Sequence, residues 1–348
     1  MKVILAAHVV IDKGYENRGP AHILEDYLIK NKIPYDFLKY PLLDFSFFLS
    51  HLLTILRTIC FVFKGKSKEI VFIGVDPLNA LSGLILRKIG KVSFFVFHTP
   101  DYSPKRFSNS IINKIYHLID IFCAKNADLI ICVSERIMKK RISQGIDSKK
   151  VYWVPNSPLE FVMPEVTKKD RFDLVLLANL GSAVAFTPFI EALKILKDRA
   201  NLVIIGSGKG EPLIREKAAE LGVLGNIDFK GWLPYDKAIK EVRRVAIGLA
   251  FYDNRASYTY YCDPVKVRDY LSCGLPVIMN DVPAVAEEIK AYRAGIVVEN
   301  TAEEIARAYF EIIKNYGEYS RNAFKLANDR HSGKYLDLVF AKIKEELK

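Results

Sequence analysis

The chain has 348 residues, half of them hydrophobic and 26% charged, with a net charge of +11 and an isoelectric point near 9.2. Such a composition excludes a disordered polypeptide, and the length exceeds what one core ordinarily fills, so two domains are expected. The positive excess points to an anionic partner, whether nucleotide, nucleic acid or membrane surface.

Taken in order, Lys2–His8 is an apolar run that ends at Asp12 without a small-residue cleavage pattern, and it reads as a first strand rather than a signal peptide. The loop behind it carries Gly14, Arg18, Gly19 and His22 ahead of the helix AHILEDYLIKN. That arrangement suits substrate anchoring, although Gly19–Pro20 is also an ordinary helix start. After the strand YDFLKY comes Leu42–Phe63, long enough to span a bilayer but interrupted by Asp44, His51 and Arg57. An arginine near mid-membrane costs ~2.5–3.5 kcal/mol, which argues against a span. Two readings stay open: a helix buried against a sheet, or a helix in a bilayer surface with Lys64, Lys66 and Lys68 at anionic headgroups.

EIVFIG, VSFFVFH, LIICVS and VYWVP continue the strands, with PLNALSGLILRKIG, NSIINKIYHLIDIFCAKN and ERIMKKRISQG as helices between them. Near-continuous apolar strands alternating with helices specify a parallel sheet covered on both faces. Asn156–Arg171 breaks the rhythm and reads as a linker. The alternation then restarts with FDLVLLA, NLVIIG, NIDFKG, AIGLAF, PVIMN and GIVVE as strands, and Ala302–Lys348 is helical and basic. The expected organisation is α/β, with two Rossmann-like doubly wound domains facing across a cleft. They would cover residues 1–160 and 161–325, with a C-terminal helical segment, 326–348, packing back on the first. Five scattered cysteines without CxxC spacing argue against disulfides or zinc and fit a reducing cytoplasm.

Ligands of open α/β sheets bind beyond the carboxyl ends of the strands, so the loops there carry the candidates. In FFVFHTPDY, His98 follows a buried strand with Asp101 three residues on; a histidine there can donate to a sugar hydroxyl or move a proton. Gly206, Ser207, Gly208 and Lys209 precede a helix, where glycines allow close backbone approach and the helix dipole favours phosphate. Trp232 either caps a sheet edge or lines a base pocket. In DPVKVRDYLSCGLPVI, Pro264 suits the first helical turn and Asp263 its N-cap. The amides of Val265 and Lys266, with the Lys266 ammonium, could hold a diphosphate, and Asp269 could accept a ribose diol. The bland alternative is a solvated Lys266–Asp269 ion pair worth a few tenths of a kcal/mol.

In order and spacing these motifs resemble the GT-B glycosyltransferases, the large nucleotide-sugar-dependent group 1 family of retaining enzymes. RGPAHILEDYL is similar to that family's first loop and helix, VFHTPD to its strand-histidine segment, and ADLIICVSE and VYWVPNS to its "VS" and "PN" segments. NLVIIGSGKGEP and NIDFKGWLPYDKAIKEV resemble its glycine-rich loop and the segment beyond it, and PVKVRDYLSCGLPVI its "P-x-K-x-x-EYLA-x-G-x-PV" signature. The resemblance implies sugar transfer from a nucleoside diphosphate sugar to a glycan or lipid-linked acceptor, without metal or other cofactor. The cysteines, Leu42–Phe63 and the net charge point to a cytoplasmic setting near the inner membrane face, and without a recognised motif no nucleic-acid partner is expected. By position, Lys266 and the Gly206–Gly208 loop would meet donor phosphates, Asp269 the ribose and His98 the donor sugar. The chain departs from the pattern at Tyr261, where many members carry a glutamate, and at Ser157 after Pro155–Asn156. LANLGSAVAFTP also lacks the usual arginine and lysine. Phosphate charge would then fall on Lys266, with Lys209 or Arg255, and an inverting enzyme would use Asp101 as base. Membrane contact would draw on Lys105, Arg106, Lys139, Lys140 and Arg141. An epimerase of the same fold and a non-catalytic sugar- or nucleotide-binding protein are the alternatives.

Overall fold

A computed structural model describes residues 1–12, 15–41, 47–65, 67, 69–161, 172–181, 186–254 and 257–348. Gly14, Lys66, Lys68, Arg255 and much of the expected linker therefore lie outside the described residues. The chain divides into two units. One comprises Met1–Leu159, Arg255–Asp263 and His331–Lys348; the other comprises Glu160–Asn254 and Pro264–Arg330.

With elements numbered in chain order, the first unit's sheet is parallel and runs β4 (Tyr35–Pro41), β1 (Lys2–Val9), β5 (Ile70–Val75), β6 (Phe94–Thr99), β7 (Leu129–Cys132), β8 (Val151–Trp153). A small antiparallel hairpin, β2 (Ile11–Asp12) and β3 (Tyr15–Glu16), follows β1. The helices are α1 (Pro20–Lys30), α2 (Phe47–Lys64), α3 (Pro77–Lys88), α4 (Ser110–Asn126) and α5 (Glu135–Ser143), with α9 (Ser257–Tyr261) and α14 (Ser332–Glu346) from later in the chain. Strand side chains alternate between faces. Ile4, Phe72, Phe95 and Phe97 enter one core, while Val3, Leu5, Val71 and Ile73 enter the other, which α14 completes with Leu336, Val339, Phe340 and Ile343. Each such fully buried side chain contributes roughly 1.5–3 kcal/mol, so the central strands are held from both sides.

The second unit repeats the plan in the order β11 (Ile227–Gly231), β10 (Leu202–Ile205), β9 (Leu174–Leu177), β12 (Ile247–Ala250), β13 (Val277–Met279), β14 (Gly295–Val297), all parallel. Its helices are α6 (Thr187–Leu196), α7 (Glu211–Glu220), α8 (Tyr235–Val242), α10 (Val265–Ser272), α11 (Val285–Tyr292), α12 (Ala302–Lys314) and α13 (Tyr316–Asp329). A buried ion pair fastens α10 to α11: the Arg268 guanidinium, 1% exposed, meets Glu288 at 2.6 Å, and Arg330 meets the other Glu288 oxygen at 2.6 Å.

The unit boundaries differ from the expected ones. Helix α13 packs on α10 and α11 through Ala323, Leu326 and Ala327, so the second unit runs to Arg330 rather than to residue 325. Segment 255–263 joins the first unit, because Tyr261 packs edge-on against Tyr102 and Arg136 lies 4.1 Å from the Tyr260 ring.

Helix α2 is buried along one side and exposed along the other. Thr54, Thr58 and Val62, spaced by four, face inward, and Leu52, Leu56 and Phe63 are about half exposed. No helix among the described residues is long and apolar enough to cross a membrane.

Candidate functional site

In the second unit the strand order reverses at β9, from which β10 and β11 lie to one side and β12, β13 and β14 to the other. At such a switch point the loops diverge and leave a crevice. Lys266 stands there. Its ammonium donates to the Leu177 carbonyl at the end of β9 (2.9 Å) and lies 5.2 Å from the Tyr252 ring, just beyond β12. One turn along α10, Tyr270 accepts the Leu177 amide at 2.7 Å, while its ring covers Gly248, where a Cβ would lie 2.3 Å from the ring. Helix α10 is thereby clamped to β9 through both backbone groups of one residue.

The N-cap position of α10 falls one residue later than expected, on Pro264 instead of Asp263. Pro264, at φ −71° and ψ 118°, is the capping position and Val265 the first helical residue. Asp263 belongs to the first unit, where its buried carboxylate accepts the Asn156 amide at 2.6 Å and its carbonyl accepts Asn156 Nδ2 at 2.7 Å. Asp269 is buried on α10 and accepts the Tyr235 hydroxyl at 2.8 Å.

Gly206 and Gly208 have another reason than ligand approach. A Cβ on Gly206, at φ +140°, would lie 1.8 Å from the Ala178 carbonyl, and one on Gly208 would lie 2.4 Å from Leu180. They let the loop after β10 lie on the loop after β9, where Leu180 donates to Ser207 and Gly210 donates to Leu180. Ser207 is half-buried and Lys209 exposed, ahead of the α7 start. Trp232 is half-buried beyond Gly231, whose φ of +65° turns the chain out of β11.

In the first unit, His98 is the last residue but one of β6 and is 3% exposed. Burial lowers its pKa to about 3, so the ring is neutral, and its Nδ1 has no hydrogen-bond partner. This favours hydrogen bonding over the expected proton transfer. Asp101 accepts Arg106 at 2.6 Å. Arg18 is tied to Asp26 on α1. Gly19, at φ −143°, is in extended backbone with open space around it, so its position does not require glycine. Arg141 is fully buried and paired with Asp120 at 2.5 Å, which removes it from the expected membrane-facing set.

Sequence reasoning missed a second cluster, formed by residues 68 and 71 positions apart. In this sheet the order reverses between β1 and β5, and His8 at the end of β1 meets Asp76 just beyond β5. Asp76 has φ +70° and ψ 162°, a conformation that costs a non-glycine residue roughly 1–3 kcal/mol. One carboxylate oxygen caps α3 by accepting the amides of Leu78 and Asn79; the other accepts His8 Nδ1 and Asn79 Nδ2, both at 3.0 Å. Gly74 permits this, since a Cβ there would lie 2.5 Å from Ala80 Cα.

Among the described residues no three His, Cys, Asp or Glu side chains come together as a metal site. A cavity of about 300 Å³ lined by Lys2, Asp36, Phe61 and Lys64 lies at the amino ends of the first unit's strands, away from these loops.

Residues 161–329 match the profile of glycosyl transferases group 1. Over 189 residues the chain is 24% identical to the chitobiosyldiphosphodolichol beta-mannosyltransferase of Candida albicans. That alignment covers 50% of this chain and 41% of the relative, so the chain spans less than half of that protein's length. Among solved structures, HepE of Anabaena in complex with UDP and glucose superposes with a TM-score of 0.71 at 16% identity, covering 99% of each chain. A glycosyltransferase from Rickettsia africae gives 0.66 at 15% identity, covering 99% of this chain and 98% of that one. The match to the glycosyl transferases group 1 is thus confined to residues 161–329, within the second half of the chain, while the two parallel-sheet units both have the GT-B fold.

Proposed function

We propose that the protein is a glycosyltransferase that moves a sugar from a nucleoside diphosphate sugar, bound by the second unit, to a glycan or lipid-linked acceptor bound by the first, with retention at the anomeric carbon. The observation that carries the reading is Lys266, held at the switch point of the second sheet and at the start of α10. A cation beside a helix N-terminus meets the charge that grows on a departing diphosphate, and it does so without reorganising. Lys209 adds a second positive charge, so the reading needs no metal ion. In the Gly206–Gly208 loop the Gly206 amide is held by the Gly231 carbonyl, and the Ser207 and Gly208 amides meet the phosphates; Asp269 beside Tyr235 meets the ribose, Trp232 flanks the base, and neutral His98 donates to the donor sugar. Among the relatives, a mannosyltransferase for a diphosphodolichol acceptor and HepE with UDP and glucose support a nucleotide-linked donor and a glycan acceptor.

The reading includes contact with the inner membrane face. Ile111, Ile115, Leu118 and Phe122 form a stripe along α4 with exposures of 41–69%, and Lys114 and Lys125 on the same helix are exposed. Leu52, Leu56 and Phe63 of α2 are also exposed, on a helix that packs on α3, as α4 does. Apolar side chains with cationic neighbours match the chemistry of an anionic bilayer surface.

The test is a thermal-shift panel of nucleoside diphosphates, with and without magnesium, on the wild type and Lys266→Ala. Stabilisation of the wild type by at least one nucleotide, independent of magnesium, is expected. If no nucleotide stabilises it, the transferase reading fails. The configuration of the transferred sugar, read by proton coupling at the anomeric centre, tests retention.

A further inference from the structure

The first unit's switch point holds a built polar site that the donor reading leaves unused. His8 is 8% exposed at its side chain and Asn79 is fully buried, yet His8 Nε2 and Asn79 Oδ1 both lack a hydrogen-bond partner. The tautomer follows from the contacts. Asn79 Nδ2 has two hydrogens and lies 3.0 Å from three groups, the Val75 carbonyl, Asp76 Oδ2 and His8 Nδ1. A carboxylate oxygen only accepts, so the 3.0 Å contact between His8 Nδ1 and Asp76 Oδ2 puts a hydrogen on Nδ1; the Asn79 hydrogens then go to Val75 and Asp76, and His8 Nε2 keeps a lone pair. Two buried acceptors are thus left without donors, next to a residue held in strained backbone. A purely structural His–Asp pair would leave neither atom unmet, since an unpaired buried polar atom is costly.

We propose that His8 Nε2 and Asn79 Oδ1 form a subsite that accepts hydrogen bonds from hydroxyl groups of the sugar acceptor, with Asp76 as the positioning residue that fixes the imidazole tautomer. The proposal deepens the transferase reading and rests on it for the nature of the ligand. A pyranoside is the matching chemistry, because it brings O–H donors on a rigid ring that His51 and Tyr40, flanking His8 at 4.8 and 6.2 Å between ring centres, can pack against. The location parallels Lys266 in the other unit: each lies at the carboxyl ends of the two strands where its sheet reverses order.

The experiment uses the full chain labelled with ¹⁵N-histidine. Long-range ¹H–¹⁵N correlation is expected to show the Nδ1–H tautomer for His8. Titration with methyl pyranosides of mannose, glucose, galactose and N-acetylglucosamine at millimolar concentrations is expected to shift the Nε2 resonance saturably for at least one of them. 2-Methoxytetrahydropyran, which has the ring without hydroxyls, is expected to leave it unmoved. Asp76→Asn keeps an oxygen for the α3 cap but places an N–H against His8 Nδ1, which moves the ring hydrogen to Nε2. Glycoside affinity should then fall by about tenfold, while nucleoside diphosphate affinity changes less than about twofold. The proposal is overturned if no glycoside moves the resonance, if the hydroxyl-free ring moves it equally, or if Asp76→Asn binds glycosides as the wild type does. The wild-type titration decides even if the variant does not fold. Nucleotide binding is read separately, so failure of the transferase reading is distinguishable.

Discussion

The ammonium of Lys266 donates to the carbonyl of Leu177 across 2.9 Å, tying the first turn of α10 to the last residue of β9. The contact orders a long, flexible side chain before any ligand arrives, which lowers the entropy cost of meeting a phosphate. Lys266→Ala is therefore expected to lower stability by about 1.5 kcal/mol, a charged hydrogen bond's worth, and to weaken nucleoside diphosphate binding more than about tenfold. Denaturant melts and calorimetric titration measure the two effects separately. Lost stability with unchanged nucleotide affinity would make the lysine a structural clamp only.

Glu288 governs acid sensitivity of the second unit. Burial alone would raise its pKa, but Arg268 and Arg330 outweigh burial and hold the carboxyl below the ordinary 4.5. A carboxylate depressed in the folded state stabilises the protein above its unfolded pKa, and that contribution is lost as pH falls through the folded one. Glu288→Gln is expected to cost about 3 kcal/mol at neutral pH, because the buried Arg268 guanidinium and Arg330 lose the carboxylate charge that they share. The difference from wild type should shrink in urea melts below pH 4.5.

His98 should show the opposite chemistry. It stays neutral down to about 3, whereas an ordinary histidine titrates at 6.5. Between those values the unfolded chain binds the proton more readily, so His98 lowers stability as pH falls from 6.5 toward 3. Its ¹⁵N signal is expected to stay on the neutral baseline across that range until the protein unfolds. A titration near 6.5 would rule out the buried neutral ring.

Asp263→Ala removes the acceptor of the Asn156 amide and leaves that buried group unpaired, at a cost of about 1–3 kcal/mol. Because the residue belongs to the first unit rather than to the cap of α10, nucleotide affinity should be unchanged. A drop in nucleotide affinity equal to that of Lys266→Ala would return Asp263 to the donor site.

Leu118→Asp and Phe122→Asp, at positions 57% and 51% exposed, should leave stability nearly unaltered. Together they are expected to reduce co-sedimentation with phosphatidylglycerol vesicles by about tenfold or more. Equal sedimentation of variant and wild type would count against the membrane face.

The central strands were legible because strands buried on both faces read as uninterrupted apolar runs, and the partly exposed edge strands β4 and β11 were legible from their place in the strand–helix alternation. Lys266 was legible for a related reason, since a proline and a cation ahead of an amphipathic run mark a helix start wherever it docks. What escaped depends on partners distant in the chain. Asp263 looks like an N-cap from its neighbours, and only Asn156, 107 residues away, reveals its other role. His8 and Asp76 carry no local pattern, and the strain at Asp76 has no signature in a Val-Asp-Pro tripeptide. Gly206 and Gly208 were recognised as sites of close approach, but what approaches is the chain's own Ala178 and Leu180.

Helix α14 supplies Leu336, Val339, Phe340 and Ile343 to a core whose other side chains come from the first 160 residues, and its Asp337 accepts the Tyr27 hydroxyl at 2.7 Å. During synthesis the unit that emerges first must therefore wait for nearly the whole of the other before it can close. At about 5–20 residues per second, that interval is roughly 10–40 s, during which one apolar face of the first sheet stands uncovered at its α14 site. The second unit, with one short excursion at 255–263, can meanwhile complete itself, so the order of folding on the ribosome is expected to run opposite to the order of the sequence.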